Sequence, residues 1–335
     1  MTTIRDVAKL AKTSIATVSR VLNKQDGFSE DTKKRVLDAA ETLGYESNAI
    51  ARSLKKMQTR TIGVVYPNIS SMLTHEFLNG IEEIAHEKNY SVIVSYSYSD
   101  TERMLKSLKT FHEQRVDGVI FASEELKDIY YDYIKRMDIP FVLLSTSSEK
   151  YDVPYVKIDD FAASYAAMNY LIQKGHTEIG FISGNKEDKV TGVPRLAGYK
   201  QALLDASIVF EDKKVVHGTD YSFQDGKNQF PVLLEQYPEV TAVFTASDAI
   251  AVGAISVSSQ LGISIPEDVS VIGFDNILIS EMVTPALTTV AQPLVRMGVE
   301  AAKLLFQLID KKEIKEKQIL LPFEIIERNS VIERQ

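Results

Sequence analysis

The sequence predicts an α/β protein in which a small head of three helices precedes a core of two open α/β subdomains. In the first 45 residues, apolar side chains recur at helical spacing in three short stretches. From Thr61 onward, short apolar runs of strand length alternate with helical stretches. Such alternation is typical of parallel sheets that are covered by helices on both faces.

The first two helices are predicted on either side of a break at Lys12–Thr13. The apolar residues of the first helix share one face: Ile4, Val7, Ala8, Leu10 and Ala11. Ser14 suits the N-cap of the second helix, which would bury Val18, Val21 and Leu22. Two short helices joined by a tight turn form a helix-turn-helix, whose second helix has the right width for a DNA major groove. A helix hairpin that serves only packing is the alternative.

A third helix is predicted over Glu30–Leu43, after a turn at Gly27–Ser29. Ser29 would cap its start and Gly44 would end it. The residues predicted to face the first two helices are Val36, Leu37, Ala40 and Leu43. Three helices of this length enclose a very small core, so we expect the head to be marginally stable.

Composition limits the classes of protein to consider. The 335 residues are enough for two or three domains, and the absence of cysteine excludes disulfides and thiolate metal sites. The N-terminus lacks an apolar signal region, and no apolar run reaches the roughly 18 residues of a membrane span. We therefore expect a cytoplasmic protein.

The charge is divided unevenly along the chain. Residues 1–60 carry 12 Lys and Arg against 7 Asp and Glu, whereas the remainder carries 26 against 39. A basic head on an acidic core favours contact with phosphates at one end and repulsion from DNA elsewhere.

The predicted strands of the core are residues 61–67, 90–97, 117–123, 139–145, 153–159, 178–184, 241–247 and 269–275. The helices between them are predicted near His75–Lys88, Thr101–Arg115, Leu126–Met137, Phe161–Lys174, Leu196–Ala206, Phe223–Gln236 and Ala249–Leu261. Ligands of open α/β sheets bind at the carboxyl ends of the strands, so we expect a ligand cleft between the two subdomains.

Motifs of catalysis are missing from the sequence. The five histidines are scattered and form no HExxH spacing, and no GxxxxGK[ST] phosphate loop occurs. In Gly180–Gly184 the serine lies one place too late for a nucleophile elbow. We therefore expect neither an enzyme nor a metal or other cofactor. A sugar-binding protein without a regulatory role is the rival function for the core.

The stretch TIRDVAKLAKTSIATVSRVLN, followed by GYESNAIARSLKKMQTRTIGVV, closely resembles the N-terminus of the lactose-repressor/galactose-repressor family. The resemblance continues through Gly273–Asn276 to Pro322. It implies a bacterial transcription regulator with a DNA-binding head and a core similar to a periplasmic sugar-binding protein. Members of the family usually carry Gly-Val where this chain has Lys12–Thr13, so Lys12 is expected to adopt a left-handed conformation at about 1 kcal/mol.

The resemblance and the chemistry of the residues together suggest DNA contacts. Arg20 is the leading base reader, since a guanidinium can pair bidentately with guanine. Ile15 and Ala16 open the second helix and would contact thymine methyl groups. The residues expected to contact phosphates are Thr3, Ser14, Thr17, Ser19, Asn23 and Tyr45.

Residues 46–60 are identified by resemblance as a hinge helix that folds only on operator DNA. Asn48 would cap it, Leu54 would wedge between bases in the minor groove and Ala51 would permit close approach. The predicted domains are residues 1–45, the hinge at 46–60 and the core at 61–335. By resemblance the subdomains of the core are discontinuous, with the first at about 61–159 and 292–321 and the second at about 160–291 and 322–335.

The candidate effector residues follow predicted strands. Arg195 is predicted in a loop before a helix, Tyr221 in a loop, Ser247 after the strand TAVF and Asp275 at the end of VIGF. The resemblance implies that Arg195, Ser247 and Asp275 are the main effector ligands, because the matching positions of the family bind the effector. It also implies that the first subdomain adds Ser70, Leu73 and Thr74. A guanidinium, a carboxylate and an aromatic face suit a hydroxyl-rich ligand. Each residue taken alone could instead cap a helix or close a turn.

The resemblance implies a homodimeric repressor of carbohydrate-utilisation genes that binds a palindromic operator on the nucleoid. Leu73 and Thr74 stand where the family often has aromatic residues, which favours a small sugar or sugar phosphate over a purine as effector. The closest pattern is the catabolite-control branch, whose corepressor is a serine-phosphorylated phosphocarrier protein. Val295–Arg296 and Lys303 replace that branch's usual residues, so a small-molecule effector ranks first.

Overall fold

The computed structural model describes residues 2–22, 26–45, 58–67 and 72–334. The chain forms two compact units, Met1–Thr59 and Arg60–Gln335, which we call the head and the core. Within the described ranges, no helix is both long enough and apolar enough to cross a membrane.

The head contains α1 (Ile4–Leu10), α2 (Ile15–Leu22) and α3 (Glu30–Thr42). The predicted N-caps are confirmed, because Ser14 Oγ accepts a hydrogen bond from Thr17 N at 3.0 Å and Ser29 Oγ accepts one from Thr32 N at 3.3 Å. Lys12 has a φ of 50°, which confirms the left-handed turn between α1 and α2.

Two of the predicted core positions of the head are wrong. Leu10 and Leu37 are 49% and 46% exposed. The inward face of α3 consists of Val36, Ala39 and Ala40, and Leu37 lies one position off this helical repeat. Leu10 is the last residue of α1, and its side chain extends beyond the buried cluster of the head, which includes Val7 and Val18.

The core contains two six-stranded sheets. The first consists of β1 (Thr61–Tyr66), β2 (Ser91–Tyr96), β3 (Gly118–Ala122), β4 (Phe141–Leu144), β5 (Tyr155–Lys157) and β11 (Gln318–Leu320). Its order is β11-β5-β4-β3-β1-β2, and every neighbouring pair is parallel. In its register, Ile62 pairs with both Val92 and Gly118.

The second sheet consists of β6 (Ile179–Ser183), β7 (Val215–His217), β8 (Ala242–Thr245), β9 (Ser270–Asp275), β10 (Thr288–Ala291) and β12 (Glu324–Ile326). Its order is β12-β10-β9-β8-β6-β7. Only the β10–β12 pair is antiparallel. The predicted parallel sheets are confirmed, and their central strands β1, β3, β6 and β9 are almost entirely buried.

The helices of the core are α4 (Met72–Glu87), α5 (Thr101–Gln114), α6 (Asp128–Met137), α7 (Asp160–Gln173), α8 (Gly192–Asp205), α9 (Phe223–Gln236), α10 (Asp248–Ser258), α11 (Ile279–Met282) and α12 (Leu294–Ile309). The helix predicted near Leu196–Ala206 begins four residues earlier, at Gly192. The placement of Arg195 in a loop is therefore wrong, since this residue lies in the first turn of α8.

Helices α4 and α12 cross at very short range. A Cβ atom added to Gly298 would lie 2.2 Å from the carbonyl oxygen of Phe77, and one added to Gly80 would lie 2.0 Å from that of Val295. Glycine at both positions therefore allows the two backbones to touch.

The chain passes between the two sheets three times. It leaves the first sheet after β5 and enters α7. After β10 it returns through α12, where Phe306 packs edge-on against Tyr90 beside β2 at 4.9 Å between ring centres. It adds β11 to the first sheet and then β12 to the second.

Candidate functional site

The exposed surface of α2 is the candidate site of the head. Ile15, Ala16 and Arg20 are exposed, whereas Thr17 and Ser19 are half-buried. Thr3 and Ser14 are also exposed; the Thr3 hydroxyl donates to the Asp6 carboxylate at 2.7 Å, whereas the Ser14 hydroxyl caps α2. Tyr45 is half-buried and packs against the buried cluster of the head. An exposed guanidinium on a helix flanked by small side chains has the shape and charge to enter a major groove.

Several candidate residues lie outside the described part of the chain. They are Asn23, Asn48, Ala51 and Leu54 of the DNA-binding set, together with most of the predicted hinge, and Ser70 of the effector set.

The candidate site of the core begins with a buried ion pair. Arg195 donates from Nε and Nη2 to Asp160 Oδ1 at 3.0 and 2.9 Å, and from Nη1 to the carbonyl of Ala246. Lys157 Nζ lies 3.1 Å from the other carboxylate oxygen of Asp160. The Arg195 guanidinium also lies 3.6 Å from the centre of the Phe274 ring. Contacts with Asp160, Ala246 and Phe274 therefore hold the Arg195 side chain in place.

Asp275 is the last residue of β9 and lies near Arg195. Its φ of 121° is in a region that L-residues rarely adopt, which is typical of strained residues at binding sites. Asp275 Oδ1 accepts a hydrogen bond from Gln292 Nε2 at 2.7 Å. Burial raises the pKa of Asp275 to about 7, although the charge of Arg195 opposes this shift.

Ser247 and Tyr221 complete this cluster. Ser247 caps α10 by accepting from Ile250 N at 3.1 Å, and it donates to the Tyr221 carbonyl at 3.0 Å. The Tyr221 hydroxyl donates to the half-buried carboxylate of Asp188. Burial also raises the pKa of Asp248, which accepts from Ile277 N at 2.9 Å. The structure thus brings Arg195, Tyr221, Ser247 and Asp275 together.

Leu73 and Thr74 lie apart from that cluster, in the first turn of α4 after β1. Thr74 is buried and Leu73 is half-buried. Both therefore belong to the carboxyl edge of the first sheet, whereas Arg195 and its neighbours belong to the carboxyl edge of the second.

The sequence interpretation missed three hydroxyl groups at the carboxyl edge of the first sheet. Tyr66 Oη, Ser123 Oγ and Thr146 Oγ1 are buried and have no hydrogen-bond partner among the residues that the structure describes. Tyr66 ends β1, while Ser123 and Thr146 follow β3 and β4. Their position at or just after the ends of buried strands was the signal in the sequence that could have identified them.

Two glutamates follow Ser123 along the same edge. Burial raises the pKa of Glu124, which accepts a hydrogen bond from Ser97 Oγ at 2.6 Å. Glu125 forms an ion pair with Lys189 at 3.1 Å. Since Lys189 lies in the loop between β6 and α8, this pair joins the edges of the two sheets.

Both the head and the core match known protein families. Residues 3–48 match bacterial regulatory proteins of the lacI family, and residues 168–331 match a periplasmic binding protein-like domain. The chain is 39% identical over 331 residues to the HTH-type transcriptional regulator RegA of Clostridium saccharobutylicum, with 99% of each chain covered. It is 36% identical over 328 residues to the catabolite control protein A of Priestia megaterium, with 98% of each covered.

A solved structure gives the same result. The lac repressor dimer bound to operator and the anti-inducer ONPF matches with a TM-score of 0.88 and 26% identity, over 99% of each chain. These relatives are regulators of transcription and not enzymes. The chain therefore belongs to the LacI family of bacterial DNA-binding transcriptional regulators.

Proposed function

We propose that this regulator is a homodimeric repressor of carbohydrate-utilisation genes, controlled by a small sugar or sugar phosphate that binds between the two sheets of the core. The observation that carries the proposal is the convergence of Arg195, Tyr221, Ser247 and Asp275 at the carboxyl edge of the second sheet. Ligands of open α/β folds bind at such edges.

The DNA-binding half of the proposal rests on the exposed face of α2. Arg20 reads guanine, Ile15 and Ala16 contact thymine methyl groups, and the hydroxyls around them hold phosphates. Two heads related by a two-fold axis would read the two halves of a palindrome. Leu54 would bend the operator by entering its minor groove, with Asn48 and Ala51 supporting that segment.

The effector half of the proposal rests on polar and aromatic groups that suit a sugar, at the carboxyl edges of both sheets. The carboxylate of Asp275 accepts hydrogen bonds from ligand hydroxyls, and Tyr221 supplies an aromatic wall. Unpartnered hydroxyls such as that of Tyr66 offer further donors and acceptors. A ligand that favours one arrangement of the two sheets over another changes DNA affinity by a coupling of about 1–3 kcal/mol.

A phosphoprotein corepressor is the second candidate, favoured by the identity with catabolite control protein A. The α12 surface opposes it. Val295 is 40% exposed, but Lys303 is paired with Glu300 at 3.0 Å. A cavity of about 300 Å³ beside α12 is lined by three carboxylates, Glu300, Glu313 and Glu316, and by two ammonium groups, Lys303 and Lys315. A phosphoserine there would meet more carboxylates than ammonium groups, so we rank the small-molecule effector first.

The test is operator binding by the purified full chain. Footprinting on genomic fragments should find a palindromic site, and fluorescence anisotropy should show binding without any added protein. Arg20→Ala should weaken binding by about 1–3 kcal/mol, the usual value of one bidentate base contact. Leu54→Ala should weaken binding while the core stays folded.

Arg136→Ala on α6 is the matched control, because it removes an exposed arginine from the core and should leave operator affinity unchanged. Weak, sequence-independent binding at every salt concentration would refute the DNA-binding roles. Operator binding that requires a phosphorylated partner protein would favour the second candidate.

A further inference from the structure

We propose that Lys157 is a positioning residue, which holds the two sheets of the core in the arrangement that binds operator DNA. The proposal concerns the segments that join the sheets and requires no ligand. It rests on the DNA-binding half of the proposed function. Its basis is a buried ion pair that closes around one of these joining segments.

Three short segments join the two sheets, and we call them the junction. They are residues 158–159 between β5 and α7, residues 292–293 between β10 and α12, and residues 321–323 between β11 and β12. A change in the arrangement of the sheets must alter the backbone dihedral angles of these segments, since hinge residues absorb such motions. Groups that fix the junction therefore fix the arrangement of the sheets.

The side chain of Lys157 closes a ring around the first junction segment. Lys157 is the last residue of β5, and its ammonium group reaches past Ile158 and Asp159 to Asp160, the first residue of α7. Lys157 Nζ lies 3.1 Å from Asp160 Oδ2, and the two side chains are only 13% and 5% exposed. Because solvent screens such a pair weakly, the pair opposes rotation of the backbone between its partners.

The carboxylate of Asp160 is held in place from the second sheet. Its other oxygen, Oδ1, accepts hydrogen bonds from Arg195 Nε and Nη2 at 3.0 and 2.9 Å. Arg195 also donates to the carbonyl of Ala246, which directly follows β8. Lys157 therefore pairs with a carboxylate that cannot follow it when the sheets turn. The ion pair stabilises the arrangement that the structure shows over others.

The backbone of Lys157 connects two of the junction segments. Its carbonyl accepts a hydrogen bond at 2.9 Å from the amide of Leu321, the first residue of the third segment. The second segment is bonded separately, through Gln292 Nε2 and Asp275 Oδ1 at 2.7 Å. One lysine thus contacts both the first and the third segment. Removal of its ammonium group should loosen these two segments.

A looser junction lets the core populate several arrangements. Only the fraction of molecules in the competent arrangement binds DNA, so the apparent affinity falls with that fraction. Lys157→Met keeps an unbranched apolar stem and removes the charge. We expect it to weaken operator binding by at least about fivefold, the lower end of typical coupling between distant parts of a regulator.

Hydrogen exchange of the full chain tests the junction without DNA. In Lys157→Met, the backbone amides of residues 158–160 and of Leu321 should exchange faster than in the unsubstituted chain, because the contacts that hold them are weakened. Unchanged exchange at these amides would overturn the proposal.

Lys174→Met is the matched control, since it removes an ion pair that does not bracket the junction. Lys174 follows α7 and lies 2.8 Å from Glu327, which follows β12 of the second sheet. Exchange should change near this pair, whereas exchange at the junction and operator affinity should stay as in the unsubstituted chain.

Fluorescence anisotropy with the operator found by footprinting is the functional test. Equal or tighter operator binding by Lys157→Met than by the unsubstituted chain would overturn the proposal and leave the proposed function in place. If the unsubstituted chain binds no operator, the DNA-binding half of the proposed function fails, and the role of Lys157 in DNA binding fails with it.

A double-mutant cycle assigns the effect to the ion pair. Asp160→Asn removes the charge but keeps the shape of the side chain and an oxygen that accepts from Arg195. When Asp160→Asn is already present, Lys157→Met should change operator affinity by less than about twofold, because the pair is already lost. An equal loss with and without Asp160→Asn would overturn the proposal. The comparison with Lys174→Met decides even if Asp160→Asn does not fold.

Discussion

Lys12 holds a left-handed backbone conformation in the turn between α1 and α2, with its side chain exposed. A residue with a Cβ atom pays about 1 kcal/mol for this conformation, whereas glycine adopts it freely. Lys12→Gly should therefore stabilise the head by about 0.5–1 kcal/mol. Hydrogen exchange of the full chain should show slower exchange of the backbone amides in α1 and α2.

Lys9→Gly is the control for that measurement, because Lys9 is also exposed but lies inside α1. Glycine in a helix interior costs about 1 kcal/mol, so the same amides should exchange faster. Faster exchange in Lys12→Gly would show that the lysine side chain stabilises the turn.

The candidate site was predictable from sequence only in part. Ser247 and Asp275 stand out because they lie at or just after the ends of buried strands, whereas Arg195 in α8 was predicted through the family resemblance. Their partners do not stand out, since Asp160 lies 35 residues from Arg195 and Gln292 lies 17 from Asp275. A hydroxyl without a partner, such as that of Thr146, is a property of the folded surroundings and leaves no mark in the sequence.

At the scale of elements, the close crossing of α4 and α12 leaves no room for a side chain at the contact. Gly298→Ala would place a Cβ atom 2.2 Å from the Phe77 carbonyl oxygen, so the two helices must separate. Overpacking of this kind destabilises by about 1–3 kcal/mol, and we expect a loss at the upper end because the obstacle is backbone. Urea unfolding of the full chain measures it.

Gly262→Ala is the comparison for this prediction. Gly262 has a φ of 71°, but nothing lies within 4 Å of an added Cβ atom. Its substitution should cost only about 1 kcal/mol, through backbone strain alone. Equal losses at both positions would mean that the helix crossing adapts without strain.

Element prediction succeeded where periodicity was long and clear. The predicted helix Phe223–Gln236 agrees with α9, and the eight predicted strands all form. Helix α12 went unpredicted, although its buried residues Leu294, Met297, Ala301 and Leu305 recur at helical spacing. Strand β7 has only three residues, which is too few to show an alternation of side chains. Its pairing with β6 defines it.

At the scale of the whole molecule, a buried histidine fastens the C-terminal segment to the second sheet. His176 Nε2 donates to the Ile332 carbonyl at 3.1 Å, and Nδ1 lies 3.0 Å from Thr241 Oγ1. Burial lowers the pKa of His176 below 6.5 in the folded chain. The unfolded chain therefore binds this proton more readily, so the contribution of His176 to stability should fall as the pH drops below 6.5.

The contribution of one such group is at most about 1.4 kcal/mol per pH unit. Because the raised pKa of Asp275 stabilises the folded chain over the same pH range, the contribution of His176 is measured against His176→Gln: between pH 7 and pH 5.5, urea unfolding should show that the unsubstituted chain loses stability relative to this variant. His112→Gln on the exposed surface of α5 is the control. An unchanged pH dependence in His176→Gln would assign the loss of stability to other groups.

Because the chain passes between the two sheets three times, neither subdomain of the core is encoded by one continuous stretch of the gene. A gene fragment that stops before Asp160 encodes β1 to β5 but omits β11 and the helix α12 that covers them. The complementary fragment begins with α7, ahead of the second sheet, and carries both missing pieces with it. No single cleavage of the chain separates the two subdomains, so either one can be produced alone only by joining distant stretches of the gene.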